Sequence, residues 1–429
     1  MVTFSKIINK LLILAFVVVI VSCSNNNDPL YRIQKNGLYG FIDSIGNVVI
    51  KPQYKYVGYF NKDGYATVIT QVKYEIKKTN LAYANGADTL LVFKYGFIDK
   101  NNSLIVDTIH TIKLAKLQAI KWGFTDANEV VKNYNAKTNF LTNIYDSRIK
   151  LQAGLFVVQD PNTLLMGYMN IKGDTVIPAK YECCHPFYNG VARVSIKYNG
   201  FNVLKTINSE MLIDSLGKIK GNEGYTFIRD FINEYSWASK IAEEKGDFER
   251  YWYLLDKNGK VCSDSIRGGV IYNSPSDWYI MQLDFLGNKL YSFINKEGKF
   301  VNDKNHDGMI ALGEETFDDV TYMKDHIVGL KAFYNDIPAW AFADENFDFK
   351  SQPFDSLFQY HENLAAVKEF SKSKVNSKWG FINKDYKVII PYKYDEVESF
   401  YNGLAYFRVS NIVGYINKKG EIVWSTERQ

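Results

Sequence analysis

The chain has little cysteine, proline or histidine, and it has no apolar run long enough to span a membrane. Its 429 residues include four Cys, nine Pro and five His, and the longest apolar run covers residues 11–21. A membrane helix needs about 20 apolar residues. Four Cys are too few for a disulfide scaffold in a chain of this length. The near balance of 51 basic and 47 acidic residues argues against nucleic acid as a partner, because that function requires a basic face.

The first residues form an export signal. Lys6 and Lys10 precede the apolar run at 11–21, which suits the core of a signal peptide. The run ends in Ile20-Val21-Ser22-Cys23, which resembles the lipobox of bacterial lipoproteins. The resemblance implies cleavage of residues 1–22, lipidation of Cys23 and a tether over 23–36. It also implies an exported chain that is lipid-anchored to a bacterial membrane, with the outer membrane expected, facing the periplasm or the cell surface. An ordinary signal peptide with a chance Cys is the alternative.

The chain is rich in residues that favour strands. It contains 31 Tyr and 28 Phe, and apolar residues make up 46% of it. One short pattern returns along its length with a mean spacing of about 42 residues. The pattern is an aromatic, a small residue, an aromatic or aliphatic pair and then Asp or Asn. Its copies lie at residues 39–43, 95–99, 122–126, 166–170, 252–256, 291–295, 340–344, 379–383 and 413–417, with a degenerate copy near Gly200.

Each good copy continues with a turn, an apolar strand, a Pro before a Tyr, an Asn-Gly turn and a second apolar strand. Alternating apolar residues predict half-buried strands, and Gly and Asn supply the positive φ that tight turns require. We therefore predict an all-β fold of tandem short antiparallel β-meanders over 37–429. The array would be propeller-like or an open β superhelix. The small second residue would let a neighbouring ring lie on the backbone. Residues 228–245 are predicted as the one helix.

The repeat resembles a known family. The pattern Trp379-Gly380-Phe381-Ile382-Asn383, followed by Val388-Ile389-Ile390-Pro391 and Gly403-Leu404-Ala405, looks like the bacterial WG repeat. The resemblance covers most of residues 37–429. It implies an all-β repeat array of the kind found on exported bacterial proteins. It implies no catalytic residues.

Residues 303–314 match the calcium loop of an EF-hand at every specified position, as an insertion into one repeat. Gly308 permits the sharp bend of that loop. The flanking residues indicate a hairpin instead of the helices of an EF-hand. We therefore predict one structural Ca²⁺ ion and not the paired EF-hands of a calcium sensor. The alternative is a polar turn rich in Asp and Asn. The predicted ligands are Asp303, Asn305, Asp307, the Met309 carbonyl and a bidentate Glu314.

Two further patterns have competing interpretations. Cys183-Cys184-His185 suggests a metal site, but neighbouring side chains on a strand point to opposite faces, so we favour a structural role. Asp followed by Ser or Thr and an apolar residue resembles an O-glycosylation pattern of exported bacterial proteins; the alternative is that Asp begins a turn. The candidate acceptors are Ser44, Thr89, Thr108, Thr175, Ser215, Ser265 and Ser356.

No catalytic motif is visible in the sequence. We therefore favour a non-catalytic, membrane-anchored binding or scaffolding protein of the cell envelope, whose partner is an unidentified envelope protein or glycan. One alternative is a carbohydrate-binding surface lipoprotein, which requires solvent-facing aromatic residues. Another is an enzyme on a β-repeat frame, which requires converging carboxylates or His.

The calcium loop gives a direct prediction. Residues 24–429 should bind Ca²⁺ in calorimetry, with the weak affinity of extracellular modules. Glu314→Gln should weaken binding by about tenfold or more, because it removes a bidentate carboxylate. Glu315→Gln, one residue further on, is the matched control and should leave binding unchanged. Equal binding by the parent and Glu314→Gln would refute the assignment.

Overall fold

The structure is a computed structural model, and every regular element that it describes is a β-strand. It describes residues 28–78, 87–114, 150–196, 209–232, 234–244, 247–272, 278–285, 288–297, 299, 319–334, 337–371 and 376–427. Within these ranges no helix is long or apolar enough to cross a membrane. The predicted all-β class is therefore confirmed.

The strands of the described ranges form nine consecutive antiparallel meanders, which we call blades 1 to 9. A full blade has four strands in chain order, which we call strands one to four of the blade. Blades 1 and 3 are described from strand two, and blades 6 and 7 are described up to strand three. Blades 7 and 8 join in a single seven-stranded sheet through β24 and β25.

The strands of the first three blades are as follows. Blade 1 contains β1 (Tyr31–Lys35), β2 (Leu38–Ile42) and β3 (Val48–Tyr54). Blade 2 contains β4 (Tyr56–Val57), β5 (Tyr65–Lys78), β6 (Ala87–Asp99) and β7 (Leu104–Leu114). Blade 3 contains β8 (Leu155–Gln159), β9 (Met166–Asn170) and β10 (Thr175–Tyr181).

The strands of the next three blades follow the same order. Blade 4 contains β11 (Cys183–Cys184), β12 (Val191–Ser195), β13 (Glu210–Asp214) and β14 (Ile219–Tyr225). Blade 5 contains β15 (Phe227–Ile228), β16 (Tyr235–Glu244), β17 (Asp247–Asp256) and β18 (Ile266–Arg267). Blade 6 contains β19 (Val270–Tyr272), β20 (Tyr279–Phe285) and β21 (Asn288–Ile294).

The last three blades complete the described chain. Blade 7 contains β22 (Asp319–Val320), β23 (Ile327–Tyr334) and β24 (Ile337–Asp344). Blade 8 contains β25 (Phe354–Leu357), β26 (Leu364–Glu369), β27 (Trp379–Asn383) and β28 (Val388–Tyr394). Blade 9 contains β29 (Glu396–Val397), β30 (Leu404–Val409), β31 (Ile412–Asn417) and β32 (Ile422–Glu427).

The sequence repeat and the blade are out of phase by half a unit. The repeat that begins at Tyr39 supplies β2 and β3 to blade 1, and then β4 and the start of β5 to blade 2. Each repeat therefore crosses from one blade to the next. A blade can form only when two successive repeats are both present.

The Asp or Asn that ends each repeat signature fixes the turn between strands three and four. Its side-chain oxygen accepts hydrogen bonds from the backbone N–H groups two and four residues later, at 2.8–3.1 Å, in all nine blades. This Asx turn satisfies donors that the sheet leaves unpaired. The nine residues are Asp43, Asp99, Asn170, Asp214, Asp256, Asn295, Asp344, Asn383 and Asn417.

The Gly of the signature is required by the backbone of the following strand. A Cβ at Gly40 would lie 2.3 Å from the carbonyl oxygen of Ile50, and a Cβ at Gly167 would lie 2.3 Å from that of Ile177. In both blades the pairing of strands three and four shifts register beside this Gly, which brings the fourth strand onto it. The expected neighbour was an aromatic ring, but the nearest atoms at both positions belong to backbone.

Neighbouring blades bury their apolar faces against each other. One cluster combines Phe41 of blade 1 with Val57 and Val68 of blade 2, and another combines Phe381 of blade 8 with Phe407 of blade 9. These side chains are at most 2% exposed. At about 25 cal/mol per Å² of buried apolar area, this stacking is the main stabilising contribution to the array.

The first and last blades pack together in the same manner as internal neighbours. Tyr31 and Ile33 of blade 1 share a cluster with Leu404 of blade 9. The Tyr415 hydroxyl donates to the Arg32 carbonyl at 2.8 Å, and the Tyr31 hydroxyl donates to the Asn402 carbonyl. These contacts close the array into a ring, which favours the propeller-like alternative over the open superhelix.

The same type of contact recurs at the junction of blades 9 and 1 and at internal junctions. Gly46 in the Asx turn of blade 1 lies against Val423 in the fourth strand of blade 9. Gly420 in blade 9 lies against Ile390 of blade 8, and Gly217 in blade 4 lies against Ile177 of blade 3. The closing junction therefore uses the equivalent turn glycine against the fourth strand of the preceding blade, although Gly46 meets the Val423 backbone where Gly420 and Gly217 meet an Ile side chain.

Three sequence predictions need correction, and one lies outside the described residues. Residues 228–245 form β15, a turn and β16 instead of a helix, because β16 pairs in register with β17 from Tyr235 to Glu244. The predicted tether over 23–36 is too long, since β1 belongs to blade 1 and buries Tyr31 and Ile33. The signature strand expected near Gly200 is β13, which ends at Asp214. The copy at 122–126 lies outside the described residues.

The Asx turns give a prediction about stability. Asp256→Ala should lower the unfolding free energy by about 1–2 kcal/mol, because two backbone N–H groups lose their acceptor. Asp256→Asn is the matched control and should be nearly neutral, since Asn performs this role in four of the nine blades. Urea unfolding followed by fluorescence measures both. Equal losses for Ala and Asn would show that charge, and not the acceptor oxygen, stabilises the turn.

Candidate functional site on the turn face

In the blades whose turn into strand two is described, that turn lies beside the Asx turn. In blade 9, Leu404 at the start of strand two pairs with Asn417 at the end of strand three, and in blade 4 Val191 pairs with Asp214. Both turns of a blade therefore lie at one end of it. We call the surface that these turns form the turn face.

The turn that enters strand two keeps the same backbone bridge in several blades, whereas the side chain at the bridging position varies from blade to blade. In six blades the residue three positions before strand two forms an isolated β-bridge with the first residue of that strand. A fixed frame that carries varied side chains is typical of binding surfaces. The six residues are Gln152, Tyr188, Ile232, Lys324, His361 and Tyr401.

A cavity of about 660 Å³ opens on the turn face where blades 9, 1 and 2 meet. We call it the seam cavity. Its wall includes Pro29 and Leu30, through which the described chain enters blade 1. Its volume lies in the range of small-ligand sites. The remaining lining residues are Tyr59, Phe60, Asn61, Lys62, Asp63, Gly64, Tyr65, Asp99, Lys100, Asn101, Ile105, Tyr401 and Asn402.

Two tyrosine rings form the aromatic wall of the seam cavity. Tyr59 is 39% exposed and Tyr401 is 57% exposed, and their ring centroids are 6.1 Å apart at an angle of 49°. The Arg32 guanidinium carbon lies 3.6 Å from the Tyr59 ring centroid, a cation–π contact that holds this ring in place. The Tyr401 ring remains largely open to solvent.

Hydrogen bonds fix the polar part of the same wall. The Asn61 side-chain oxygen accepts the backbone N–H groups of Asp63 and Tyr65, and its amide donates to the Leu151 carbonyl of blade 3 at 2.5 Å. The Lys100 ammonium donates to the Asp28 carbonyl at 2.8 Å, and burial lowers the pKa of Lys100. The side chains of Lys62, Asp63 and Asn101 are exposed around this frame.

The interface beside the seam cavity is protected from water. Burial, assisted by the negative charge of Glu362, raises the pKa of Tyr31 to about 12. Burial also raises the pKa of Tyr415 well above its usual value. Both phenols therefore stay protonated at neutral pH and keep donating to carbonyls of the neighbouring blade.

In the described residues, the displaced carboxyl groups share one direction of pKa shift, and burial lowers the pKa of His110 and His361. The carboxyl groups whose pKa is displaced all shift downward, because bound cations or N–H donors stabilise their charge. A catalytic acid at neutral pH needs an upward shift. The described residues also hold no group of three His, Cys, Asp or Glu side chains that could bind a metal. The five shifted groups are Asp160, Glu249, Asp325, Asp344 and Asp395.

The Cys183-Cys184-His185 segment is buried between blades. Cys183 lies 3.6 Å from the His185 ring, and the Arg193 guanidinium contacts the other ring nitrogen at 2.9 Å. Burial raises the pKa of Cys184 well above its usual value, which keeps it a thiol. The arrangement fits the structural role that we favoured for this segment.

The remaining predicted sites stand as follows. Cys23 and the calcium residues Asp303, Asn305, Asp307, Met309 and Glu314 lie outside the described residues. Among the candidate glycan acceptors, Ser44, Thr175, Ser215 and Ser265 are exposed, whereas Ser356 is half-buried in β25. Thr89 and Thr108 lie in β6 and β7, and their side chains are outside the described set.

The Asp residues of two acceptor patterns have a structural role. Asp43 and Asp214 are residues of the Asx turn, and Ser44 and Ser215 follow them inside that turn. The turn therefore accounts for the Asp-Ser pair at these positions without a glycan. Glycosylation at all seven positions remains a prediction.

Comparison with known proteins identifies the repeat. Residues 39–70, 166–199 and 379–411 match the family described as WG containing repeat. Each matched segment begins at the third strand of one blade and extends into the second strand of the next. No curated protein matches the sequence. The resemblance to WG repeats is thus confirmed at three places in the chain.

Solved structures resemble the chain at low identity. A eukaryotic initiation factor is 9% identical, with 94% of this chain and 96% of that chain covered and a TM-score of 0.45. Kluyveromyces lactis Hsv2 is 10% identical, with coverages of 84% and 95% and a TM-score of 0.30. An acylaminoacyl peptidase from Pyrococcus horikoshii is 8% identical, with coverages of 82% and 56% and a TM-score of 0.30. These likenesses carry no argument about function.

Proposed function

We propose that the chain is a non-catalytic binding or scaffolding module of the bacterial cell envelope, held on a membrane by lipid at Cys23. The observation that carries the proposal is the turn face, where one backbone bridge recurs at six positions that carry five different types of side chain. Stacked repeats supply a rigid frame for such a surface. The WG repeats and the downward carboxyl pKa shifts also support a binding role over catalysis.

The seam cavity is the proposed contact point for the partner. At this place the turn face is concave, and two aromatic rings reach solvent together. Tyrosine rings with nearby amides and charges are typical of interaction hot spots. A calcium ion in the 303–314 loop would support the frame and would not take part in chemistry.

A second candidate is binding of carbohydrate at the same cavity. The exposed Tyr401 ring offers an apolar face for a sugar ring, and Lys62, Asp63 and Asn101 can pair with hydroxyl groups. This arrangement supplies the solvent-facing aromatic that the carbohydrate alternative requires. The two candidates therefore differ in the ligand and not in the site.

A pair of equivalent tyrosines tests the proposal. Residues 24–429 should capture an envelope protein or polysaccharide at a stoichiometric level, and Tyr401→Ala should weaken capture by about tenfold, as expected for loss of an aromatic anchor. Tyr188→Ala is the matched control, because Tyr188 holds the same bridge in blade 4 but does not line the cavity. Affinity capture from envelope extract, followed by mass spectrometry and glycan analysis, measures both.

The outcomes separate the candidates. Capture of one protein supports a docking module, and capture of polysaccharide supports the carbohydrate candidate. Equal capture by the parent and Tyr401→Ala would show that the seam cavity is not the contact point. Empty beads for the parent, with and without Ca²⁺, would contradict a binding function in the envelope.

A further inference from the structure

Arginine side chains and aromatic rings alternate across blades 4, 5 and 6. The Arg193 guanidinium carbon lies 5.9 Å from the Phe227 ring centroid, and that of Arg229 lies 4.9 Å from the same ring. Around the next ring, Trp252, the guanidinium carbons of Arg229 and Arg250 lie at 5.7 Å and 5.8 Å. Each of the two rings therefore lies beside two guanidinium groups. We call the set of Arg193, Arg229, Arg250, Phe227 and Trp252 the arginine stack.

A third ring completes the surroundings of the central cation. The guanidinium carbon of Arg229 lies 4.5 Å from the Tyr272 ring centroid in blade 6. The Tyr272 hydroxyl donates to the Gln282 side chain at 2.9 Å, which holds the ring in position. Arg229 thus contacts aromatic rings of two neighbouring blades, blades 5 and 6.

Among the residues that the structure describes, the three arginines of the stack form one ion pair with a carboxylate. Arg193 is buried and forms an ion pair with Asp230. Arg229 donates through Nε to the Ile271 carbonyl at 3.0 Å, and Arg250 donates to the Ser239 hydroxyl at 3.4 Å. Neither Arg229 nor Arg250 forms an ion pair within the described part of the chain. A guanidinium has five N–H donors, so most donors of these two remain for another acceptor.

The close approach of like charges works against the fold of the free protein. Burial lowers the pKa of Arg229, and the charges of Arg193 and Arg250 lower it further, while Tyr272 and Asp230 raise it. A stack that served only structure could use one Arg between two rings. Arg229 and Arg250 lie beside one indole ring and form no ion pair with any described residue. Their placement is better explained if an anion binds to both guanidinium groups.

We propose that Arg229 and Arg250, beside Trp252 and Tyr272, bind an anionic group of the phosphate or carboxylate class. Both arginines and Tyr272 are partly exposed, so a ligand can reach them, while Trp252 is fully buried and fixes their positions. The planar guanidinium fork matches the oxygen geometry of phosphate and carboxylate. This site lies in blades 5 and 6 and is separate from the seam cavity.

Calorimetry and thermal unfolding of residues 24–429 test the proposal, with inorganic phosphate and galacturonate as probes at constant ionic strength. The parent should bind one probe and melt at a higher temperature with it. Arg250→Gln should weaken binding by about tenfold or more, as expected for a lost charge-assisted pair. Arg267→Gln is the matched control, because Arg267 belongs to the same blade but is paired with Glu249.

The ligand-free proteins provide the second readout. Arg250→Gln should melt at the same temperature as the parent or higher, because the relief of repulsion with Arg229 offsets the loss of one long hydrogen bond and of the distant contact with Trp252. Arg229→Gln should also lose binding, although it additionally removes the bond to Ile271. Phosphate binding or galacturonate binding identifies which class the site takes. The proposal is overturned if the parent binds neither probe, if Arg250→Gln binds as the parent does, or if Arg267→Gln loses binding equally.

Discussion

The whole structure depends on the burial of each blade between two neighbours. A meander of two to four short strands has two apolar faces and is not stable alone. Phe41 of blade 1 and Phe381 of blade 8 are buried only because another blade covers them. A linear array would leave one face bare at each end. The contact of blade 1 with blade 9 removes both bare ends, and it does so with the kind of contact that joins internal neighbours.

The half-unit offset between repeat and blade strengthens this dependence. Because a repeat such as 39–70 supplies strands to two blades, covalent continuity links blades that are consecutive in the chain. Side chains then add bonds across the junctions. Tyr168 donates to the His185 carbonyl at 2.7 Å between blades 3 and 4, and Arg229 donates to the Ile271 carbonyl at 3.0 Å between blades 5 and 6.

The sequence predicted the class, the repeat and most signature strands, because alternation and the Asx residue are local signals. It failed where tertiary pairing overrode local spacing. Residues 231, 235, 238 and 242 have helical spacing, yet the pairing of β16 with β17 forces the extended form. The seam cavity could not be predicted, since it joins Tyr59 to Tyr401 across the whole chain. The arginine stack was missed for the same reason, although the aromatic content was visible.

The proposed function follows from a division of roles between residues that keep the backbone constant and residues that vary on the surface. Asx turns, signature glycines and blade packing keep the backbone constant, and the turn face and the arginine stack carry the residues that differ from blade to blade. In the proposed function, one end of the ring would recognise a partner while a lipid at Cys23 would hold the chain on a membrane. Ring closure is what makes the turn face continuous from blade 9 to blade 2.

Pulsed electron spin resonance between two spin labels tests ring closure most directly. One pair, Asn47→Cys with Ile422→Cys, spans blades 1 and 9, and the reference pair, Glu421→Cys with Val388→Cys, spans blades 9 and 8 at equivalent positions. The exposed Cys262 is first replaced by Ser. A closed ring predicts the same short, narrow distance for both pairs. A long or broad distance for the first pair, with a short one for the reference pair, would contradict closure.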